Sequence, residues 1–242
     1  MSEHTAHDSG LSKVEYGGGG PVHRAITPGG HPLDQTQPAF PVYHRKFANP
    51  APLGLSAFAL TTFLLSLMNV QARGISPAHH QLIIGPALAY GGLVQLLAGM
   101  WEFACGNTFG ATAFSSYGGF WIAFGIILWP GAGLKAAYAD APDQEASAVG
   151  LFLFVWMIFT FIMFISSLKS SMALVSLFGC LTITFLLLGA GELSASITTT
   201  KAGGWFGLIT ASIAWYTALA GLLTPDTSHF VIPVGVLSRT RD

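Results

Sequence analysis

Residues 147–168 read SAVGLFLFVWMIFTFIMFISSL, without one charged side chain. As a helix this run rises about 33 Å, enough to cross a hydrocarbon layer of about 30 Å. In that layer no water pairs with backbone N–H and C=O groups, so a helix is the form such a segment takes. Five more apolar runs of similar length surround it, at about 51–70, 82–104, 108–129, 171–191 and 204–223. Their separators carry turn residues: Ser76-Pro77, Cys105-Gly106-Asn107, Pro130-Gly131 through Asp143, Ser166-Ser167, and Thr198 to Gly203. The pattern predicts an all-α integral membrane protein, a six-transmembrane-helix bundle. Composition agrees, with 52% hydrophobic and only 9% charged residues, against about 25% charged in soluble domains. The exterior is therefore expected to be solvated by a lipid bilayer.

Charge and motif content exclude several classes. Lys plus Arg is 10 and Asp plus Glu is 11, so no basic surplus exists to hold nucleic acid. Cys105 and Cys180 sit in apolar context without C-x-x-C spacing, and no metal or cofactor is expected. Gly131-Ala132-Gly133-Leu134-Lys135-Ala136 matches a dinucleotide-binding pattern formally, but it follows a membrane span instead of a strand. His79 and His80 are adjacent, which on a helix points them about 100° apart, unlike an i, i+4 ligand pair. With no nucleophile or metal motif, the chain is not expected to be an enzyme. Residues 1–48 hold His4, His7, His23, His31, His44, the Gly17–Gly20 run and five prolines. They lack apolar periodicity and read as a disordered tail.

Lysines and arginines set orientation. With the N-terminus cytoplasmic, Arg45, Lys46, Lys169, Arg239 and Arg241 lie inside, and Arg73, Lys135 and Lys201 outside. Both termini are thus expected to be cytoplasmic. Small residues at four-residue spacing, Gly85/Ala89, Gly106/Gly110 and Gly203/Gly207, suit close helix packing. Ionisable groups within spans are costly and suggest function; Glu102 and Glu192 are the two that stand out, each also readable as an interfacial carboxylate. Gly91, Gln95, Ala98 and Glu102 share one face of the second span, and Gly54, Phe58, Thr62, Leu65 and Asn69 one face of the first. The third span offers a hydroxyl face (Thr108, Thr112, Ser115) and a second face with Gly110, Ala113 and Tyr117.

Asn49-Pro50-Ala51-Pro52-Leu53-Gly54-Leu55 opens the first span, with Asn49 placed to cap and the prolines suited to a first helical turn. This stretch resembles the signature of the acetate uptake transporter family, the acetate–succinate permeases of bacteria and their fungal relatives. Gly106-Asn107-Thr108-Phe109-Gly110, Thr112-Ala113-Phe114, Ser116-Tyr117-Gly118 with Phe120-Trp121, and Pro233-Val234-Gly235 agree with it. The resemblance covers about residues 46–236, and the long tail is more like fungal members. It implies a plasma-membrane protomer with its own substrate path, assembled as a homohexamer. It also implies an apolar constriction, which motif alignment places on Phe58, Tyr117 and Leu181. Residues 1–48 then form the cytoplasmic tail, 49–224 the transport domain and 225–242 a cytoplasmic C-terminal tail.

Depth provides a check on that alignment. Phe58, Tyr117 and Leu181 fall about 7, 9 and 10 residues inside parallel spans, so at 1.5 Å per residue all three reach about 10–15 Å depth. The expected function is transport of acetate and related short monocarboxylates, with succinate a further substrate, by a channel or proton-coupled carrier. A bare carboxylate is expensive to dehydrate at such a waist, and a proton would lower the barrier. Asn49, Leu53, Gln95 and Glu102 are the substrate-binding candidates, Glu102 also for proton handling. Two alternatives stand beside this reading: an ammonia or ammonium exporter using Glu102, Glu192 and Tyr117, and a non-transporting signalling protein using Thr27-Pro28 in the tail as a phosphosite.

Overall fold

The computed structural model describes residues 47–75 and 80–237. The expectations for the tail, for His79 and for Arg239 and Arg241 lie outside the described residues. Six helices are long and apolar enough to cross a membrane: α1 (Ala51–Asn69), α2 (Gln81–Ala104), α3 (Thr108–Leu128), α4 (Pro142–Ser167), α5 (Met172–Leu193) and α6 (Ile197–Leu222). The bundle is held by α1 against α6, α5 against both α4 and α6, and α2 against α3.

Two boundaries differ from the sequence expectation. The sixth helix starts at Ile197, not near 204, because the Ser196 hydroxyl accepts the Thr199 N–H and caps it. Thr198–Gly203, read as a separator, is its first two turns. The fourth helix starts at Pro142, where a proline suits the first turn and Asp143 and Glu145 complement the positive helix end. The second span is also irregular. It opens with a 3-10 turn at Gln81–Ile83 and widens to a π-helical stretch at Ala89–Val94.

Lipid, unlike water, rewards no polar outer face. Along α4, Leu151, Val155, Ile158, Ile162 and Ile165 recur at three- and four-residue spacing and are all more than half exposed. The interior is aromatic: Phe58, Tyr117, Phe120, Phe178 and Phe185 belong to one buried cluster with Leu181. Close approach of α2 and α3 is set by glycines. A Cβ on Gly118 would lie 2.8 Å from the Leu96 backbone nitrogen, and one on Gly99 would lie 2.6 Å from that of Ser115. Of the small-residue pairs read from sequence, Gly203/Gly207 packs tightly, against Leu188 and Ser66. Among the described residues nothing lies within reach of a Cβ at Gly85, and Gly106 (φ +78°) makes the left-handed turn between α2 and α3.

The segment after α6 is tied back onto the bundle. Met172 and Ala173, at the start of α5, donate their N–H groups to the carbonyls of Gly235 and Val234. Leu237 N–H donates to Ser170, Tyr216 donates its hydroxyl to the Pro233 carbonyl, and Ser171 and Val236 form an antiparallel bridge. Expected as a tail, residues 225–237 instead form a strap that supplies acceptors to orphan donors of a helix start.

Candidate functional site

Two cavities lie toward opposite ends of α1 and share part of their walls. The first, about 350 Å³, has Ala51, Pro52, Asn107, Ser171, Ile232 and Val234 among its lining and carries no charged residue. The second, about 340 Å³, is lined by Thr62, Asn69, His80, Trp121, Lys135, Glu145, Glu192 and Thr200 among others. Phe58 and Leu181 line both cavities. The common wall is therefore an aromatic ring from α1 and an isobutyl group from α5, each at most 5% exposed.

Tyr117 lines the first cavity only. Its ring packs 5.8 Å from that of Phe58, 5.6 Å from Phe159 and 6.2 Å from Phe178. Its hydroxyl donates to Thr160 Oγ1 at 2.9 Å, and Thr160 donates onward to the Trp156 carbonyl at 2.7 Å. The phenol is thereby tethered to α4, so Tyr117 adds its ring carbons to the buried cluster beside the first cavity. Thr108, Thr112 and Ser115 line neither cavity, as a helix wheel centred on Tyr117 requires.

Gln95 lies on the wall of the first cavity, 1% exposed, with its amide oxygen Oε1 unpartnered among the described residues. Glu102, 2% exposed, stands behind that wall; its Oε2 accepts from Asn107 Nδ2 at 2.7 Å, while Oε1 has no partner among the described residues. Asn107 in turn accepts the Gly110 N–H through Oδ1 at 3.0 Å and so caps α3. One side chain therefore closes a helix end, holds a buried carboxylate and lines the cavity. Asn49 is exposed and accepts the Ala51 N–H at 3.0 Å, but lines neither cavity. Leu53 lines neither and is 48% exposed; five residues along a helix turn it about 140° from Phe58, so it faces outward.

Sequence reading passed over Thr160, Asn107 as a cap, and the strap residues Ile232 and Val234. Each left a signal: a lone hydroxyl in an aromatic run, an Asn immediately before a helix, and apolar residues at 230–234 in a presumed tail. In the second cavity, Thr62 Oγ1, Trp121 Nε1 and His80 Nε2 are buried without a hydrogen-bond partner among the described residues. Burial holds the His80 imidazole below its usual range, favouring the neutral ring.

Six helices long and apolar enough to cross a membrane thus enclose two cavities that meet at an apolar wall, and define a multi-pass membrane protein. The GPR1/FUN34/yaaH family pattern matches residues 33–239, and the chain belongs to that family. Among similar proteins, Acetate permease A of Emericella nidulans is 54% identical over 78% of this chain and 66% of its own length. Ammonia transport outward protein 2 of Saccharomyces cerevisiae is 48% identical over 77% of this chain and 66% of its own. The matched region is thus just under two thirds of these fungal relatives. The solved structure of the bacterial acetate channel SatP superposes with a TM-score of 0.68 at 39% identity, covering 78% of this chain and 100% of the channel.

Proposed function

We propose that the chain carries acetate and similar short monocarboxylates across a membrane, through the two cavities and past the Phe58–Leu181 wall. The observation that carries this reading is that these two side chains line both cavities. A path so built offers hydrogen-bonding groups on both sides of a short apolar step. A methyl group crosses that step at no cost, whereas a carboxylate loses its hydration there with no Lys or Arg lining the first cavity. The neutral acid, or the anion with a proton, is the species that fits. Similarity to the E. nidulans permease and the SatP channel supports the same substrate class. The Escherichia coli relative, 40% identical over 96% of its own length, is described as a succinate-acetate/proton symporter, which makes succinate the next acid to test.

Phe58, Tyr117 and Leu181 form the constriction in this reading, and Gln95 and Glu102 act on the substrate or its proton beside the first cavity. Asn49 serves the start of α1. A plasma-membrane location with both termini cytoplasmic, and assembly as a homohexamer, belong to the same proposal. Uptake of labelled acetate by vesicles containing the purified chain tests it, with Phe58→Ala and Tyr117→Ala compared with the parent. Unchanged uptake in both variants removes those residues from the path; no uptake by the parent removes the function. Glu145 and Glu192 in the second cavity, with the S. cerevisiae relative, favour ammonium as a second reading. Acetate and ammonium flux measured in the same vesicles separates the two.

A further inference from the structure

The strap brings two side chains to the first cavity that the step past Phe58 and Leu181 does not use. Exposure alternates along Val231-Ile232-Pro233-Val234-Gly235: Ile232 and Val234 are half-buried and line the cavity, whereas Val231, Pro233 and Gly235 are exposed. A period of two is what an extended backbone produces. The other walls at this end come from helix termini: Ala51 opening α1, Asn107 capping α3, Ser171 before α5 and Gly221 closing α6. The first cavity thus reaches the end of the bundle, and the strap lies across that end. Its register is fixed by main-chain bonds, with Met172 and Ala173 donating to Gly235 and Val234 at 2.7 and 3.1 Å and Leu237 donating to Ser170 at 3.0 Å. Gly235 has φ +67°, and a Cβ there would lie 2.9 Å from Met172 Cβ, so the approach is too tight for any side chain. On the outward side, the Tyr216 hydroxyl holds the Pro233 carbonyl.

We propose that Ile232 and Val234 form the entry rim of the first cavity and select acids that carry a single carboxylate. The inference rests on the transport reading above. Side chains pinned by a main-chain ladder cannot swing aside without breaking it, so whatever enters from this end must pass them. Among the described residues the cavity is lined by no charged group; Asp226 and His229, nearer α6 on the strap, are exposed and do not line it. A monocarboxylate can turn its methyl group toward the two branched aliphatic side chains and its carboxylate toward Asn107 and Ser171, the polar residues of the same end. A dicarboxylate has no apolar end to offer. Its second charged group must shed water against Ile232 or Val234, with no cation to offset the loss. The rim therefore reads charge before the Phe58–Leu181 wall reads the length of the tail.

The test uses the full chain with Cys105→Ser and Cys180→Ser, purified and placed in phosphatidylcholine vesicles, with protein-free vesicles subtracted. One new thiol is added by Val234→Cys, or by Val231→Cys on the outward side as the comparison. Each is modified with a methanethiosulfonate that leaves either a trimethylammonium or a sulfonate group on the sulfur. Uptake of isotope-labelled acetate, and its inhibition by succinate, are measured at about pH 7, where both acids are ionised. On Val234→Cys the sulfonate is expected to lower acetate uptake about tenfold more than the trimethylammonium does, since it repels an entering anion. The trimethylammonium should raise the potency of succinate as a competitor at least about threefold over the unmodified variant, because a doubly charged acid gains more from a cation. On Val231→Cys neither group should change either quantity by more than about twofold. Equal effects of the two groups, equal effects at the two positions, or a thiol at position 234 that no reagent reaches from water, overturns the inference while leaving transport intact. A parent chain that moves no acetate overturns the transport reading instead. Where Val234→Cys fails to fold, Ile232→Cys decides.

Discussion

At the residue scale, the waist depends on where one hydroxyl points. Tyr117 spends its O–H on Thr160, 0% exposed, and that bond crosses from α3 to α4. Thr160→Val keeps shape but strands the phenolic hydroxyl in an aromatic interior, at a cost of about 1–3 kcal/mol. Tyr117→Phe leaves Thr160 still bonded to the Trp156 carbonyl, so it should cost about 1 kcal/mol or less. Thermal unfolding in detergent should rank Thr160→Val as the less stable of the two, and acetate uptake should survive Tyr117→Phe within a few-fold; the reverse order would mean the hydroxyl itself faces substrate. His80 yields a second prediction. Its ring resists protonation when folded, whereas in the unfolded chain it takes up a proton near its ordinary value of 6.5. The unfolded state then binds more protons below that value, so stability falls as pH drops through it. His80→Gln should flatten this part of the stability profile, and unfolding temperatures measured from about pH 7 down to about pH 5 check it.

At the element scale, helix ends and crossings carry the precision. Asn107 caps α3 and also binds Glu102 at the end of α2. Asn107→Ala removes a cap worth about 1 kcal/mol and leaves the buried Glu102 carboxylate without the amide that donates to it, a further cost of about 1–3 kcal/mol. Ser196→Ala loses mainly a cap at 3.3 Å, so its unfolding temperature should drop less than that of Asn107→Ala. Gly118→Ala sets a methyl against the backbone of Leu96, which no rotamer change relieves. It should cost about 1–3 kcal/mol and reduce uptake, since Tyr117 is the adjacent residue. Six spans were legible because twenty-residue apolar runs admit only one backbone form in lipid. Their ends were less so: Thr198–Thr200 and Lys201 read as a polar break, yet at a membrane surface such residues sit on a helix without penalty. The π-helical stretch in α2 gave no compositional sign beyond Gly91-Gly92.

At the scale of the whole molecule, the proposed waist came from motif alignment, with depth along parallel helices only a check on it; Phe58, Tyr117 and Leu181 belong to one buried cluster. The second cavity could not be anticipated, since His80, Lys135, Glu145 and Glu192 come from four separated segments that no periodicity links. Leu181 tests how the two cavities act together. It lines both, whereas Leu177, one turn earlier on α5 and equally buried at 3% exposed, lines only the first. Alanine at either position deletes the same three carbons and should cost about 2–5 kcal/mol, depending on how far neighbours collapse. Only Leu181→Ala opens the shared wall. It should therefore raise uptake of a four-carbon acid relative to acetate several-fold, while Leu177→Ala leaves that ratio near the parent value. Competition between labelled acetate and butyrate in vesicles measures the ratio directly. An equal shift in both variants would mean that general loosening of the bundle sets chain length, and that the barrier lies somewhere other than between these cavities.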